Sequence, residues 1–468
     1  MSAVLNIDKL FVLMLENRSY DNLLGWSDLR GWTPDGAPTQ ADGLVGKPPF
    51  SNAGANGAVY TVGQGAPFRL AFDPGHEFSD ALVQLTSPSD SRAYATCVRD
   101  DSAGLTNGAY PPCASGPNDL GFARDMEAHG FDAASAMRCF TPDQLPVLNF
   151  LAQQFGVCDR WFSSVPGPTW PNRFFALAGT SWGLDHSPSE LGSIEASLFD
   201  GAKYGNGKDT LFTRLPPEQW LVAHGDIPQA WAVKGADAHA GRFVTHEDFF
   251  ASLASGNLDA SFVFIEPHYD PIGNFQNGES MHPCGDVRLG EALIERVYNA
   301  VVSSPYWEQS VLLIVFDEHG GFFDHVIPDP AHIAGMPTLA PAAPTGLTKR
   351  GFRFDRFGVR VPALVVSPYV KQATIDHTFY DHASIAKTLA KILPAGVVNG
   401  PLLDTPRFAG AADFSSMLTL SAPRKASDIH PCPHALPVTA SPQPAKVGGS
   451  AAAFRALGWP GPIGGGAA

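Results

Sequence analysis

The sequence predicts an α/β protein, a single doubly wound domain with large insertions. Three observations predict it. Short runs that are apolar almost throughout recur at Leu10–Leu15, Ser261–Ile265, Val311–Phe316 and Arg360–Ser367. They lack the in–out alternation of a half-exposed strand, as strands covered on both faces do. Helical patterns lie between them, and three of the runs end in polar residues, at Glu16-Asn17, Glu266 and Asp317-Glu318. Open α/β sheets bind their ligands beyond the carboxyl ends of their strands.

Taken in chain order, Leu10–Leu15 is the first strand, and its polar exit matches that of Val311–Phe316, so the two are expected to be neighbours in one sheet. Residues 30–75, rich in Gly, Pro, Asn and Ala, form a long irregular excursion of the kind that is usually functional or disordered. It leaves through the turn Asp73-Pro74-Gly75-His76, followed by a helix start. A second Ser/Gly/Pro/Asn-rich stretch covers 86–118. Helical periodicity returns at Ala123–His129 and Pro142–Phe155. Pro166-Gly167-Pro168-Thr169-Trp170-Pro171 then opens another helix, with Thr169 at or near the N-cap and Pro171 in the first turn, where a missing N–H costs nothing. Further helices are predicted at Leu211–Ile227, Phe243–Ala254, from Val287 onward, and at Ala383–Leu393. Beyond about residue 422 the composition turns to Pro, Ala, Ser and Gly, which sets an expected catalytic domain over 1–421 and a loosely packed tail over 422–468.

Composition excludes several classes. The net charge is −15 across 468 residues, which argues against nucleic acid as a partner, since nothing drives association with a phosphate backbone. No stretch approaches the roughly 20 apolar residues of a transmembrane helix. Asp8, Lys9 and Glu16 interrupt the N-terminal apolar run and no small-residue cleavage site follows, so no signal peptide is expected and the default compartment is cytoplasmic. The six cysteines match no zinc spacing and leave the disulfide pattern open. The sequence sets no oligomeric state.

Glu16, Asn17, Asp317 and Glu318 make an all-oxygen set suited to a hard divalent cation such as calcium, magnesium or manganese. The same residues can equally end strands and cap helices. Thr169 at a helix start can be only a cap. It can also be a hydroxyl presented beside free backbone N–H groups that attract an anion. His76, His268, His282, His319, His325, His377 and His382 all sit at element edges, where several together could donate to phosphoryl oxygens or protonate a leaving group.

Four stretches carry a family resemblance: Glu16-Asn17-Arg18-Ser19-Tyr20-Asp21, Pro166 through Arg173, His282-Pro283 with Asp286-Val287, and Phe316-Asp317-Glu318 through Asp324-His325. In this order the chain resembles the bacterial phosphoesterase family, which comprises phosphatidylcholine-preferring phospholipases C and related acid phosphatases. The resemblance implies an alkaline-phosphatase-like α/β/α sandwich with a large mixed, mainly parallel sheet and long loop insertions. It implies Thr169 as nucleophile of a phosphoryl-enzyme mechanism, and Glu16, Asn17, Asp317 and Glu318 as metal ligands, Asn17 also touching phosphate. His76, His268 and His282 are implied in the phosphate pocket, with His282 protonating the leaving alkoxide. Thr rather than Ser at 169 favours a phospholipase C acting on a phospholipid. An acid phosphatase acting on small phosphomonoesters is the alternative, and a non-catalytic lipid- or phosphate-binding protein is the alternative of another class. Many members of the family are exported.

Overall fold

The computed structural model describes residues 7–87, 112–187, 204–205, 210–271, 273–329, 347–350, 352–394, 396–398 and 400–438. Ten strands form one sheet. In spatial order they are β10 (Phe243–Thr245), β9 (Trp220–His224), β11 (Phe262–Glu266), β1 (Lys9–Leu15), β12 (Ser310–Phe316), β13 (Ala363–Val366), β8 (Gly156–Cys158), β14 (Thr374–Asp376), β2 (Arg30–Trp32) and β3 (Pro38–Gln40). All neighbouring pairs are parallel except those made by β13 and β3. Within the long excursion, β4 (Ser51–Ala53) pairs antiparallel with β5 (Val59–Thr61). From the same excursion, β6 (Gly63–Gln64) reaches β7 (Arg138–Cys139), outside it, and pairs with it in parallel.

The two strands expected to be neighbours are neighbours. β1 and β12 pair in parallel from Lys9↔Ser310 to Leu15↔Phe316, and every residue of both is buried. Only a strand covered on both faces can bury all its side chains. Two helix groups supply the cover: Thr169–Ala178 with Ala383–Ile392, and Val287–Ser303 with Pro146–Gln154 and His246–Ser255. The register leaves Glu16 and Asp317 emerging side by side at the sheet's carboxyl edge.

Two expected helices turn out partly as strand. Leu211–Ile227 is α-helical only at Leu211–Arg214, with one 3-10 turn at Pro217–Gln219. Pro216 and Pro217 cannot continue a helix, and Trp220–His224 beyond them is the fully buried β9. Phe243–Ala254 opens as β10, and its helix starts at His246, where the Thr245 side chain accepts from the Asp248 N–H. The expected strand at 360–367 shortens to Ala363–Val366, after Pro362, which has no N–H to give a ladder.

Of the expected tail, residues 422–438 are described, and they touch the body of the domain. The Arg424 carbonyl accepts from Trp307 Nε1 at 2.9 Å, and the Pro437 carbonyl from Arg288 at 2.9 Å. Cys113, Cys139, Cys158, Cys284 and Cys432 are free thiols, and Cys97 lies outside the described residues.

Glu291, in the helix Val287–Ser303, anchors the helix Pro146–Gln154 across the interface. Its carboxylate accepts the otherwise unpaired Val147 and Leu148 N–H groups at 2.9 and 2.8 Å, with no solvent exposure. Glu291→Ala leaves two buried donors unsatisfied and is expected to destabilise the fold by about 3 kcal/mol in urea unfolding. Glu291→Gln keeps one acceptor and is expected to lose less.

Candidate functional site

Beyond β1 and β12 the two segments are stitched together. The Asn17 N–H donates to Asp317 Oδ1 at 3.1 Å, the Glu318 N–H to the same oxygen at 2.7 Å, and the Arg18 N–H to the Glu318 carbonyl at 2.9 Å. Asn17 is held at φ 57°, a left-handed conformation uncommon outside glycine and often found at functional sites. Gly320 lies so close that a Cβ there would come within 2.1 Å of the Asn17 carbonyl oxygen, so only glycine lets the loop after Glu318 fold against Asn17.

Three carboxylates are buried in this small volume, with Glu16 at 2% exposure and Asp317 and Glu318 at 0%. The countercharge is Arg173, from the middle of the helix Thr169–Ala178. Its Nε donates to Asp317 Oδ2 at 3.0 Å, its Nη2 to the Met14 and Leu15 carbonyls at 3.2 Å each, and Nη2 lies 3.9 Å from Glu16 Oε1. One guanidinium does not neutralise three carboxylates. Burial, reinforced by Asp317 and opposed by Arg173, pushes Glu16 up to about 8. Burial also holds Glu318 well above the usual carboxylate range, with His76 opposing.

Glu16 Oε2, both side-chain atoms of Asn17, Glu318 Oε1, Arg173 Nη1 and His319 Nδ1 are buried without a hydrogen-bond partner. Such atoms are rare in folded proteins, and each costs about 1–3 kcal/mol when left unpaired. Several of them on two adjoining strand ends fit a charged ligand. Two carboxylate oxygens and an amide oxygen are donors for a hard cation, while the Asn17 amide nitrogen is a donor for an anion.

Thr169 opens its helix as the first helical residue, with Pro168 as N-cap. The turn before it is pinned by Asn172, whose Oδ1 accepts the Val165 N–H at 3.0 Å. Its Nδ2 is shared among the carbonyls of Val165, Gly167 and Pro168 at 3.0–3.2 Å. Thr169 and Arg173 are four residues apart on one helix, hence on one face. The helix that reaches Asp317 through Arg173 therefore presents Thr169 one turn nearer its N-terminus.

The structure brings His76 and His282 together, their rings edge-on at 6.4 Å. His282 stacks on Phe275 at 3.7 Å. Its Nδ1 accepts the Cys284 N–H at 3.3 Å, so the neutral ring carries its proton on Nε2, 3.5 Å from Asp73 Oδ1. Burial lowers His282 to about 4. His76 donates from Nδ1 to the Pro74 carbonyl at 2.7 Å. Burial opposes its charged form, but Asp73 and Glu318 outweigh that and raise it to about 10. His268 sits apart from this pair in its contacts, held by Asp226 at 3.7 Å and the Asn277 carbonyl at 3.3 Å.

Three clusters among the described residues have metal-type ligand atoms within 4.8 Å of one another: Asp73-His282-Cys284, Asp21-Asp324-His325 and Asp80-Asp125-His129. The second already holds a cation, since Arg360 donates to Asp324 at 3.1 Å and to Asp21 at 3.0 Å. Glu16, Asp317 and Glu318 do not form such a cluster; the Arg173 guanidinium pairs with Asp317 and lies beside Glu16.

Sequence reasoning gave Arg173 and Asn172 no role, although the signal was present. Thr-Trp-Pro-Asn-Arg-Phe-Phe-Ala-Leu-Ala is buried along its whole length, and a lone Arg in such a helix requires an acidic partner.

The phosphoesterase family matches residues 7–394. Non-specific phospholipase C5 of Arabidopsis thaliana is 32% identical over 445 residues, covering 90% of this chain and 75% of that protein. Phospholipase C B of Mycobacterium tuberculosis is 26% identical over 475 residues, covering 92% and 82%. A solved structure from the alkaline phosphatase superfamily of Vibrio parahaemolyticus aligns over 57% of this chain and 63% of its own, at 13% identity and a TM-score of 0.33. A score that low adds nothing to the sheet order itself.

Replacing Arg173 by Met leaves Asp317 and Glu16 buried without their countercharge. We expect a loss of about 3–5 kcal/mol in stability, and a larger rise in Tm on adding a divalent cation than the unmodified protein shows.

Proposed function

The chain belongs to the phosphoesterase family and is a hydrolase of phosphoric ester bonds, and on that premise we propose a phospholipase C-type reaction with Thr169 as nucleophile. The substrate is a phosphodiester such as phosphatidylcholine, cleaved to diacylglycerol and a phosphorylated head group. One observation carries this reading: buried atoms of Glu16, Asn17 and Glu318 lack partners just beyond the two strand ends to which Arg173 ties the helix that bears Thr169.

Glu16, Asn17, Asp317 and Glu318 would hold a divalent cation. When bound, such an ion supplies Lewis-acid stabilisation of phosphoryl charge and lowers the pKa of a nearby hydroxyl. The chain's own residues do the rest. The Asn17 amide nitrogen donates to a phosphoryl oxygen, and the Asn172-pinned turn fixes the direction of the Thr169 hydroxyl. Thr169 Oγ gives up its proton to solvent and forms a bond to phosphorus in line with the leaving oxygen. As the phosphorus–oxygen bond to the glycerol breaks, His282 gives the departing alkoxide a proton from Nε2. An arriving phosphoryl anion raises the proton affinity of the neighbouring rings, so His282 takes up a second proton, on Nδ1, which then no longer accepts from the Cys284 N–H. His76, already cationic, pairs with the phosphoryl charge, while His268, held by Asp226 and the Asn277 carbonyl, takes no part in these steps. Water then attacks the phosphothreonine, giving a proton back to His282 Nε2, and the phosphorus–Oγ bond breaks as Oγ takes a proton from solvent, releasing the phosphorylated head group and restoring Thr169.

Thr169→Ala is expected to lower turnover roughly 10^4-fold or more, and acid quenching of the unmodified protein with a labelled substrate should trap label on Thr169. Hydrolysis that survives Thr169→Ala would rule out this nucleophile. Turnover of p-nitrophenyl phosphorylcholine should exceed that of p-nitrophenyl phosphate, and a monoester-only enzyme would move the assignment to the acid phosphatases. Exhaustive chelation is expected to abolish activity, and divalent cation to restore it.

A further inference from the structure

His319 lies next to Glu318, but none of the steps above uses it. It is buried, with Phe122 edge-on at 6.0 Å, and a side-chain amide settles its tautomer. Gln84 Nε2 donates to the Gly75 carbonyl and to Asp125 Oδ2, both at 2.7 Å. A carbonyl oxygen can only accept, so the orientation of the Gln84 amide is fixed, and its Oε1 must face His319 Nε2 at 2.5 Å. Oε1 is itself only an acceptor, so the ring proton is on Nε2. Nδ1 is then a bare lone pair, buried and without a partner. It lies 3.4 Å from Glu318 Oε2, an oxygen already engaged by the Gly320 N–H at 2.7 Å.

A buried imidazole with one nitrogen tied to a fixed acceptor and the other bare is the arrangement that metal-ligating histidines adopt. The spacing also suits it. Two adjoining ligand atoms at bond lengths near 2.1 Å lie about 3.0–3.4 Å apart on one ion. The neighbouring orphan, Glu318 Oε1, belongs to the same side chain. We propose that His319 Nδ1 is a nitrogen donor to the cation held by Glu318, with Gln84 as the residue that fixes its tautomer. This rests on the cation reading above and sharpens it. A nitrogen donor shifts a carboxylate site from calcium or magnesium toward first-row transition ions, for which imidazole is a favourable ligand.

The test is calorimetric titration of the metal-free full chain with Co2+ and, separately, with Ca2+, together with the visible absorption of the Co2+ form. His319→Ala should weaken Co2+ binding about 100-fold and alter its visible bands, while changing Ca2+ binding by less than about threefold. Gln84→Leu keeps the ring but frees its tautomer, and should cost about tenfold for Co2+. It also keeps the proposal testable if His319→Ala does not fold. Unchanged or tighter Co2+ binding in both variants would overturn the proposal, because a proton-bearing ring would repel the ion. If the unmodified protein binds neither ion, the cation reading itself falls. If it binds both ions and only the His319 effect is missing, that reading stands without His319.

Discussion

The arrangement depends on one ion pair, between Arg173 and Asp317. Two strand ends that each carry carboxylates would repel at close range, and their burial makes the repulsion costly. Arg173 reaches out of a wholly buried helix to Asp317 at 3.0 Å and to the Met14 and Leu15 carbonyls at 3.2 Å. It therefore fastens the helix to both strands at their shared edge. Because Thr169 begins that helix, the contact that makes the acidic edge tolerable also sets the height of the proposed nucleophile above it. The guanidinium compensates only part of the negative charge, and Glu16 Oε2 and Glu318 Oε1 still lack partners.

A second buried network explains why the motif residues flanking the site are what they are. Arg360 pairs with Asp21 and Asp324, stacks over Tyr20 at 4.1 Å, and donates to the Asp42 and Asp159 carbonyls at 2.7 and 2.9 Å. Ser19 donates to the Phe323 carbonyl at 2.6 Å and caps the following turn through the Asn22 N–H. Of Glu16-Asn17-Arg18-Ser19-Tyr20-Asp21, then, the first two residues face the site, Ser19 and Asp21 clamp that segment to Phe323, Asp324 and His325, and Tyr20 is held by Arg360. The clamp holds two distant pieces of chain in register where no strand ladder remains. That explains the length of both motifs, which the chemistry alone does not.

The strands that frame the site were legible because complete burial leaves a complete apolar run, as in Leu10–Leu15 and Val311–Phe316. The short strand Trp220–His224 was not, because its apolar content fits a helix equally well and only Pro216-Pro217 argues otherwise. Strand direction was also hidden. Ala363–Val366 runs against both neighbours, and its composition is that of any buried strand. At the site, residue types gave the carboxylates, the threonine and the histidine pair. They could not give Arg173 its partner, since that depends on which strand end lies beneath the helix.

His319 shows the same limit from the other side. Its neighbours in sequence suggest membership of the site, yet a histidine beside a Glu is as often its charged partner as its fellow ligand. What separates the two is the location of the proton, and that is decided by Gln84, 235 positions away in the chain. Gln84 is in turn oriented by the Gly75 carbonyl, in the turn that delivers His76. A single amide thus couples the loop that carries His76 to the lone pair beside Glu318. A change in the backbone at Gly75 would be felt at both, so the turn Asp73–His76 supports the proposed cation site as well as the proposed anion pocket.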